Sequence, residues 1–344
     1  MPIMDPFSAT GFFELADLAD AIDRIPYQPG QVGRLGLFQE TGLWTHRVRL
    51  ERRAEQLSVI PVQDRSAPMP AYVQQPRQGI SIETFRIAEQ TTVTIDALLT
   101  VRQFGRDGQA QDVQAWVQQL LADMTIRVDA TLEHHMLSAL RGYTIDADGS
   151  TVIDHFAAFG ITPPAEVALN LSAATEAQLI SAINGVVRQI RTALGARTAT
   201  RILAFCGPTF WDEFTTNPHV RKTYERAMGV AELVNQQGGR LVEGTIRRPQ
   251  MGFWWQGVYW MEYEGARPAV LEADRALVFP ELAGLYRVYY APPDFATDAG
   301  LGRPRYARAL PMTPDGRAIP IEVSSYPLAL CVEPEVLRRV RSGA

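Results

Sequence analysis

At 344 residues, 46% of them hydrophobic, 21% charged and 9% aromatic, the chain is long enough for about two domains and too apolar to be mainly disordered. No stretch approaches the ~18 uninterrupted apolar residues a spanning helix needs, so no membrane association is expected. A net charge of −5 argues against a dedicated nucleic-acid binder, because phosphate contacts call for a basic surplus.

Met1–Thr10 holds no basic segment followed by an apolar run, and no secretory signal is expected there. Residues 12–23 predict a short helix with Phe12, Leu15, Leu18 (or Ala19) and Ile22 on one face. Glu14, Asp17, Asp20 and Asp23 lie largely on the other. So short a helix is marginal alone and must dock its apolar side. Residues 1–44 carry six acids against Arg24 and Arg34, and Gly30, Gly33 and Gly36 read as a flexible stretch. Alternation predicts strands at His46–Leu50, Leu57–Val62 and Ile80–Ile87, around a Pro-containing stretch, Gln63–Gln78. Residues 46–86 hold seven arginines (Arg47, Arg49, Arg52, Arg53, Arg65, Arg77 and Arg86) against four acids. This segment reads as too polar on both faces for a core of its own, and an isolated ribbon is barely stable in water. It should therefore lie on another surface, and the acidic N-terminal segment suits it.

Gln109–Arg141 gives the clearest pattern, with Val113, Trp116 or Val117, Leu120 or Leu121, Met124, Val128, Leu132, Met136 and Leu140 at three- or four-residue spacing and Gly142 closing the helix. Its ~50 Å length implies an elongated subunit. A hairpin follows, Tyr143–Ile145 and Thr151–Ile153 around the DADGS turn. Thr175–Leu194 predicts a second amphipathic helix ending at Gly195, and Arg201–Cys206 a buried strand leading into helical material up to Val234. Strands are expected at 252–263, 267–272, 276–279 and 284–291, loop at 292–317, and a long strand at 318–332 interrupted at Pro327. The mixed order of elements makes the class α+β.

Chemistry is hard to find. The chain has no GxxxxGK[ST] loop, GxGxxG turn, GxSxG elbow or HExxH motif, and no catalytic, cofactor or metal residues are assigned. His134 and His135 are neighbours on a helix, pointing about 100° apart, and cannot share a metal. Cys206 and Cys331 read as buried small hydrophobes. The aromatic run Phe253, Trp254, Trp255, Tyr259, Trp260 and Tyr263 has no cation within 251–265 and reads as core strands rather than a base-stacking platform. Lys222 is the sole lysine; the other 32 basic residues are arginines, whose planar fork suits carboxylate pairing at interfaces.

Four stretches carry a resemblance: Met124–Tyr143 running into the hairpin, Ile202–Phe214 (ILAFCGPTFWDEF), Ala276–Phe295 with GLYRVYY before APPDF, and Ile319–Leu337 (IPIEVSSYPLALCVEPEVL). In order and spacing they resemble tailed-phage major capsid proteins of the Hong Kong 97-type fold, and more narrowly the lambda-type capsid protein E family. The resemblance spans roughly residues 5–340. It implies an N-terminal arm at 1–44, an E-loop at 45–92, a peripheral domain at 93–160 and 285–344 with spine helix 109–142, and an axial domain at 161–284. It also implies hexamers and pentamers forming an icosahedral head around double-stranded DNA, located in the virion and assembled in the bacterial host cytoplasm. The implied partners are copies of the chain itself, a separate scaffolding protein, a portal, a decoration protein, and packaged DNA through weak non-specific contact, including arginines of Arg338–Arg341. Residues 45–92 contain no lysine, so a lysine-based weld between subunits is not available. The seven arginines are expected to meet carboxylates of adjacent subunits, with Asp17, Asp20 and Asp23 as candidates. Two other readings compete: a bacterial nanocompartment shell of the same fold, and a cytosolic hydrolase centred on His134, His135 and Asp154.

Overall fold

The structure, a computed structural model, describes residues 15–27, 30–52, 78–94, 96–97, 109–195, 197–222, 225, 252–265, 270–295 and 300–343. In chain order the elements are α1 (Leu15–Arg24), α2 (Gln31–Arg34), β1 (Phe38–Gly42), β2 (Arg47–Arg52), β3 (Gln78–Glu83), β4 (Ile87–Thr94) and α3 (Gln109–Arg141). Then come β5 (Tyr143–Ile145), β6 (Thr151–Asp154), α4 (His155–Ala158), β7 (Val167–Ala168), α5 (Glu176–Leu194), β8 (Arg201–Cys206) and α6 (Pro208–Thr216). The last are β9 (Gly252–Trp255), β10 (Val258–Glu262), β11 (Arg275–Glu281), β12 (Tyr286–Tyr290), β13 (Tyr306–Ala309), β14 (Ala318–Ser325), β15 (Pro327–Cys331) and β16 (Arg338–Arg341). Helices and strands alternate irregularly, as expected of α+β. The chain divides into two compact units: Met1–Val48, Ile82–Met136 and Arg287–Ala329 form the first, and Arg49–Ser81, Leu137–Tyr286 and Leu330–Ala344 the second.

In the first unit β14 is the middle of an antiparallel sheet ordered β13-β14-β4. The pleat sorts its residues by face. Ile321 and Val323, with Val93 and Ala307, pack against Leu18 and Ile22 of α1 and Val117, Leu121, Met124 and Val128 of α3. These are the periodic positions of both helices, so period 2 meets period 3.6 across one apolar seam. Glu322 and Arg308 are directly paired across the ladder and belong to the opposite face.

The second unit is built on a six-stranded sheet, β7-β16-β11-β8-β10-β9. β10 runs parallel to β8, and β11 runs antiparallel to both β8 and β16. α5 begins in a capping box, in which Thr175 Oγ1 accepts from the Gln178 backbone and Gln178 reaches back to the Thr175 N–H. It buries Leu179, Ile183, Val186, Val187, Ile190 and Leu194. Against β9 and β10, the α6 rings form a continuous aromatic core. Phe214 lies 4.6 Å from Trp260, 5.4 Å from Trp255 and 5.9 Å from Phe253, centroid to centroid. Phe253, Trp255, Trp260 and Tyr263 are buried, while Trp254 is exposed and packs on Tyr259, its cross-strand partner. Gly142 ends α3 with φ +90°, and a Cβ there would sit 2.3 Å from the Phe156 ring, so the turn into β5 requires glycine twice over.

Several expectations change. The strand read at Ile80–Ile87 is two, β3 and β4: at the break the Thr84 N–H donates to His46 and the Phe85 N–H to Pro327, as the chain changes pairing partners. The β2–β3 ribbon is not polar on both faces, because Val48, Leu50, Ile80 and Ile82 are buried. Residues 270–272 are a turn rather than strand, and the 292–317 loop contains β13, whose Tyr-Ala-Arg-Ala sequence carries no apolar alternation. The long C-terminal strand is two strands in different sheets, parted at Tyr326. Arg338–Arg341, expected to offer arginines to DNA, is β16, lying between β11 and β7. Gly30–Gly36 is not a flexible stretch, since it contains α2 with Val32 fully buried. Phe12, Leu57–Val62, Gln63–Arg77 and the continuation from 226 to Val234 lie outside the described residues.

Candidate functional site

Clustered charge marks three places, the first two buried and the third half-buried. On β14, Glu322 takes two guanidiniums. Arg86 Nη2 donates to Oε1 at 2.5 Å, and Arg308 Nη2 and Nε donate to Oε2 at 2.8 and 3.1 Å. Burial pushes this carboxyl up, but the hydrogen bonds from Arg86 and Arg308 outweigh it and hold the group below its ordinary range. Arg308 also lies 4.4 Å above the Phe295 ring. Arg86, next to β4, is thus held by a residue on the strand that β4 pairs with.

The second place is one face of α3. Arg305 grips Asp129 with a two-pronged contact of 2.9 and 2.5 Å and donates a third bond, 3.1 Å, to the Ile25 carbonyl. One helical turn on, Glu133 accepts from the backbone N–H groups of Val32 (2.5 Å) and Gly33 (3.0 Å). It satisfies donors at the start of α2 that no side-chain cap reaches. Gly30 presses on the same side chain, and a Cβ there would stand 2.3 Å from Glu133 Cδ. Burial raises the Glu133 carboxyl, and the two backbone bonds only partly offset that. Asp129 and Glu133 therefore tie the α1–α2 segment to α3.

In the second unit, Arg141, Arg275 and Arg339 surround Glu166 and Glu272. Arg141 meets Glu272 at 2.9 Å, Arg275 meets Glu166 at 2.7 Å and pairs with Glu272, and Arg339 reaches both acids at 3.3 and 3.4 Å. Arg338 is buried and donates to Gln189 Oε1 at 3.1 Å. These arginines are structural partners inside the unit.

Of the three hydrolase residues, His134 is half-buried with its ring 5.8 Å from that of His135, and Asp154 and His135 have structural roles. Asp154 caps α4, accepting from the Ala157 N–H at 3.1 Å. His155 is fully buried, with Nε2 2.9 Å from Thr144 Oγ1, and burial depresses its pKa to about 4. His135 is buried edge-on to Phe85. Among the described residues no group of three His, Cys, Asp or Glu side chains is arranged to hold a metal, and no helix is long and apolar enough to cross a membrane.

No curated protein sequence matches the chain. A family model, phage major capsid protein E, matches residues 14–342. The chain belongs to that family.

Solved structures agree on the fold of this capsid protein. One similar structure is a protein described as the capsid protein of a prophage (E. coli CFT073), at 14% identity, with a TM-score of 0.53, 95% of this chain and 98% of that one covered. Another is the capsid of an empty GTA particle, at 11% identity and TM-score 0.50, with 93% and 92% covered. The fold is the Hong Kong 97-type capsid fold, and the protein is a structural component of a virion shell built from copies of itself. Family membership favours the phage capsid over the nanocompartment shell.

Of the expected contact residues, Arg47 is exposed and pairs with Glu83 across the ribbon, Arg49 is exposed, and Arg86 is on Glu322. Asp23 is exposed, with Arg303 3.9 Å away. Arg53, Arg65 and Arg77, and the side chains of Arg52, Asp17 and Asp20, lie outside the described residues. Sequence reasoning missed Asp129, Glu133 and Glu322. The available signal for the first two was a pair of acids four residues apart, each next to a stripe position, Val128 and Leu132.

Proposed function

We propose that this capsid protein assembles into hexamers and pentamers that close an icosahedral head around the double-stranded DNA of a tailed phage, in the host cytoplasm. Its partners in this reading are a separate scaffolding protein, a portal, a decoration protein and, weakly and without sequence preference, the packaged DNA. The observation that carries the reading is the match of the family to residues 14–342. A shell requires each copy to meet several neighbours through different, non-closing surfaces. In this reading residues 1–44 form an N-terminal arm, 45–92 an E-loop, 93–160 and 285–344 the peripheral domain, and 161–284 the axial domain.

The arginines of the E-loop, Arg47, Arg49, Arg52, Arg53, Arg65, Arg77 and Arg86, face carboxylates of adjacent copies, with Asp17, Asp20 and Asp23 among them. Arg86 in addition fixes the base of the loop through Glu322. A net charge of −5 keeps the wall from gripping phosphate tightly. The test is negative-stain microscopy with light scattering on the chain, alone and coexpressed with its neighbouring genes. Closed shells, or rings of six and five, are the expected result; a monomer or small oligomer under every condition overturns the reading.

A further inference from the structure

The first unit holds a cavity of about 330 Å³ whose wall combines an apolar floor with a negative mouth. Ile22, Val128 and Leu132 supply the floor. Three carboxylates, Asp23, Glu40 and Asp129, and one guanidinium, Arg305, line it. Arg305 is engaged with Asp129 in the two-pronged contact and acts on Glu40 only through space, not by a hydrogen bond. Asp23 is touched only loosely, by Arg303 at 3.9 Å. Glu40 forms no ion pair among the described residues. The ring of Tyr27 is 40% exposed at this mouth and already accepts a guanidinium, with Arg305 5.5 Å from its centroid.

The titratable groups report the same field. The Tyr27 phenol is pushed up by burial and then by Glu133, Asp129 and Glu40, and that of Tyr290 by burial and then Glu40, with Arg305 alone among the cations opposing. Burial raises the Glu40 carboxyl as well, with Arg305 its one counterweight. A carboxylate in this setting gains most from a new cation.

A cavity of this size is at the lower limit of small-molecule sites. Its chemistry matches a long side chain with an apolar stem and a planar cationic head. Such side chains are concentrated elsewhere in this chain: Arg49, Arg52, Arg53, Arg65 and Arg77 stand within 29 residues, against Glu51, Glu55 and Asp64. We propose that the cavity is a socket for an arginine from residues 49–77 of a second copy, its stem on the Ile22–Val128–Leu132 floor and its guanidinium between Glu40 and Tyr27. This rests on the reading that copies assemble into a shell, and adds to it the place where one copy receives another. The aliphatic stem supplies burial, and the guanidinium pairs with Glu40, which is exposed in the single chain and would be covered by the incoming side chain.

The test uses the full chain assembled into shells from a mixture of isotopically light and heavy copies, with Tyr27 replaced by the photoreactive p-azidophenylalanine. After irradiation, the expected product is a mixed light–heavy peptide joining position 27 to residues 49–77. Glu40→Lys in the same background is expected to cut that product at least fivefold, with Glu40→Gln in between. If the substituted chain does not assemble, the same probe at Pro26, also on the cavity wall, reads the same product. Shells that form without the product, a link confined to one copy, a link to another segment or to a scaffolding protein, or a yield unchanged by Glu40→Lys each overturn the socket. Failure of the unsubstituted chain to form shells under any condition overturns the parent reading instead, so the two failures are told apart by microscopy before any cross-linking is done.

Discussion

The two units solve the same packing problem with different materials. In the second, α6 is held to its sheet by rings: Phe210, Phe214, Phe253 and Trp260 are all fully buried and carry no ionisable group. In the first, an apolar seam is flanked by buried charge: Asp129, Glu133 and Glu322 each hold a cation or backbone donors brought from distant parts of the chain. Rings contribute mainly through area removed from water, and they tolerate any pH. Buried ion pairs contribute little net stability, yet losing one partner is expensive, so they enforce one arrangement and penalise others. The charged ties are therefore expected to be more specific and more sensitive to their surroundings, and the aromatic contacts stronger and less responsive; outside its rings the second unit carries ionisable groups too, the Arg141–Glu272–Arg275 cluster and His155.

That contrast can be broken most forcefully in the aromatic core. Trp260 is 1% exposed, and Trp260→Ala should cost about 5 kcal/mol, the upper end for such truncations, because the neighbouring rings cannot collapse into the space. Denaturant unfolding of the chain should show the loss. A cost below about 2 kcal/mol would mean the rings are not packed as described.

In the charged unit, Asp129→Ala leaves Arg305, whose side chain is only 11% exposed, without its carboxylate. The expected cost is about 3 kcal/mol, the lower end for breaking a buried pair, because the Ile25 carbonyl still accepts from Arg305. Protease sensitivity at α1 should rise together with the stability loss, and an unchanged digestion pattern would contradict the tie between α3 and the N-terminal segment.

His155 offers a pH test within the second unit. Its folded pKa of about 4 lies below the ordinary imidazole value of 6.5, so the unfolded chain binds the proton more readily. Stability from this group is intact above pH 6.5, declines as pH falls towards 4, and has then lost about 3 kcal/mol. His155→Gln should flatten that part of the stability profile relative to the parent. Equal slopes in the two proteins would remove His155 from the account.

The smallest effect belongs to the exposed ribbon. Arg47 and Glu83 have side chains 67% and 65% exposed, and Arg47→Ala should change the stability of the isolated chain by less than about 1 kcal/mol. If the same substitution markedly lowers shell yield in light scattering, the residue matters between copies; if neither quantity moves, Arg47 is a solvated surface group.

Legibility in the sequence followed locality. α3 was readable because eight apolar positions keep step from Val113 to Leu140 and Gly142 ends the helix. The α5 start was readable because Thr175 and Gln178 form a self-contained box, and the β5–β6 hairpin because Asp146, Asp148 and Gly149 define its turn. β13 and β16 were not readable, since Tyr-Ala-Arg-Ala and Arg-Arg-Val-Arg become strands only when β14, β11 and β7 supply the ladder. The interruption near Pro327 was readable, but not that the strands on either side of Tyr326 serve different sheets.

The sequence by itself determined the class, the long helix, the aromatic strands and, through the order of its motifs, the family resemblance. All of these depend on spacing along the chain, and spacing is what a sequence records. Only the tertiary structure decided that Glu133 caps a helix 100 residues earlier, that Glu322 holds Arg86, and that Arg338 is a buried strand residue rather than a free cation. A charged side chain reads the same in a sequence whether water or another part of the chain satisfies it. Its partner is fixed by the fold that brings the two together, and the cost of leaving it unpaired is what holds them there.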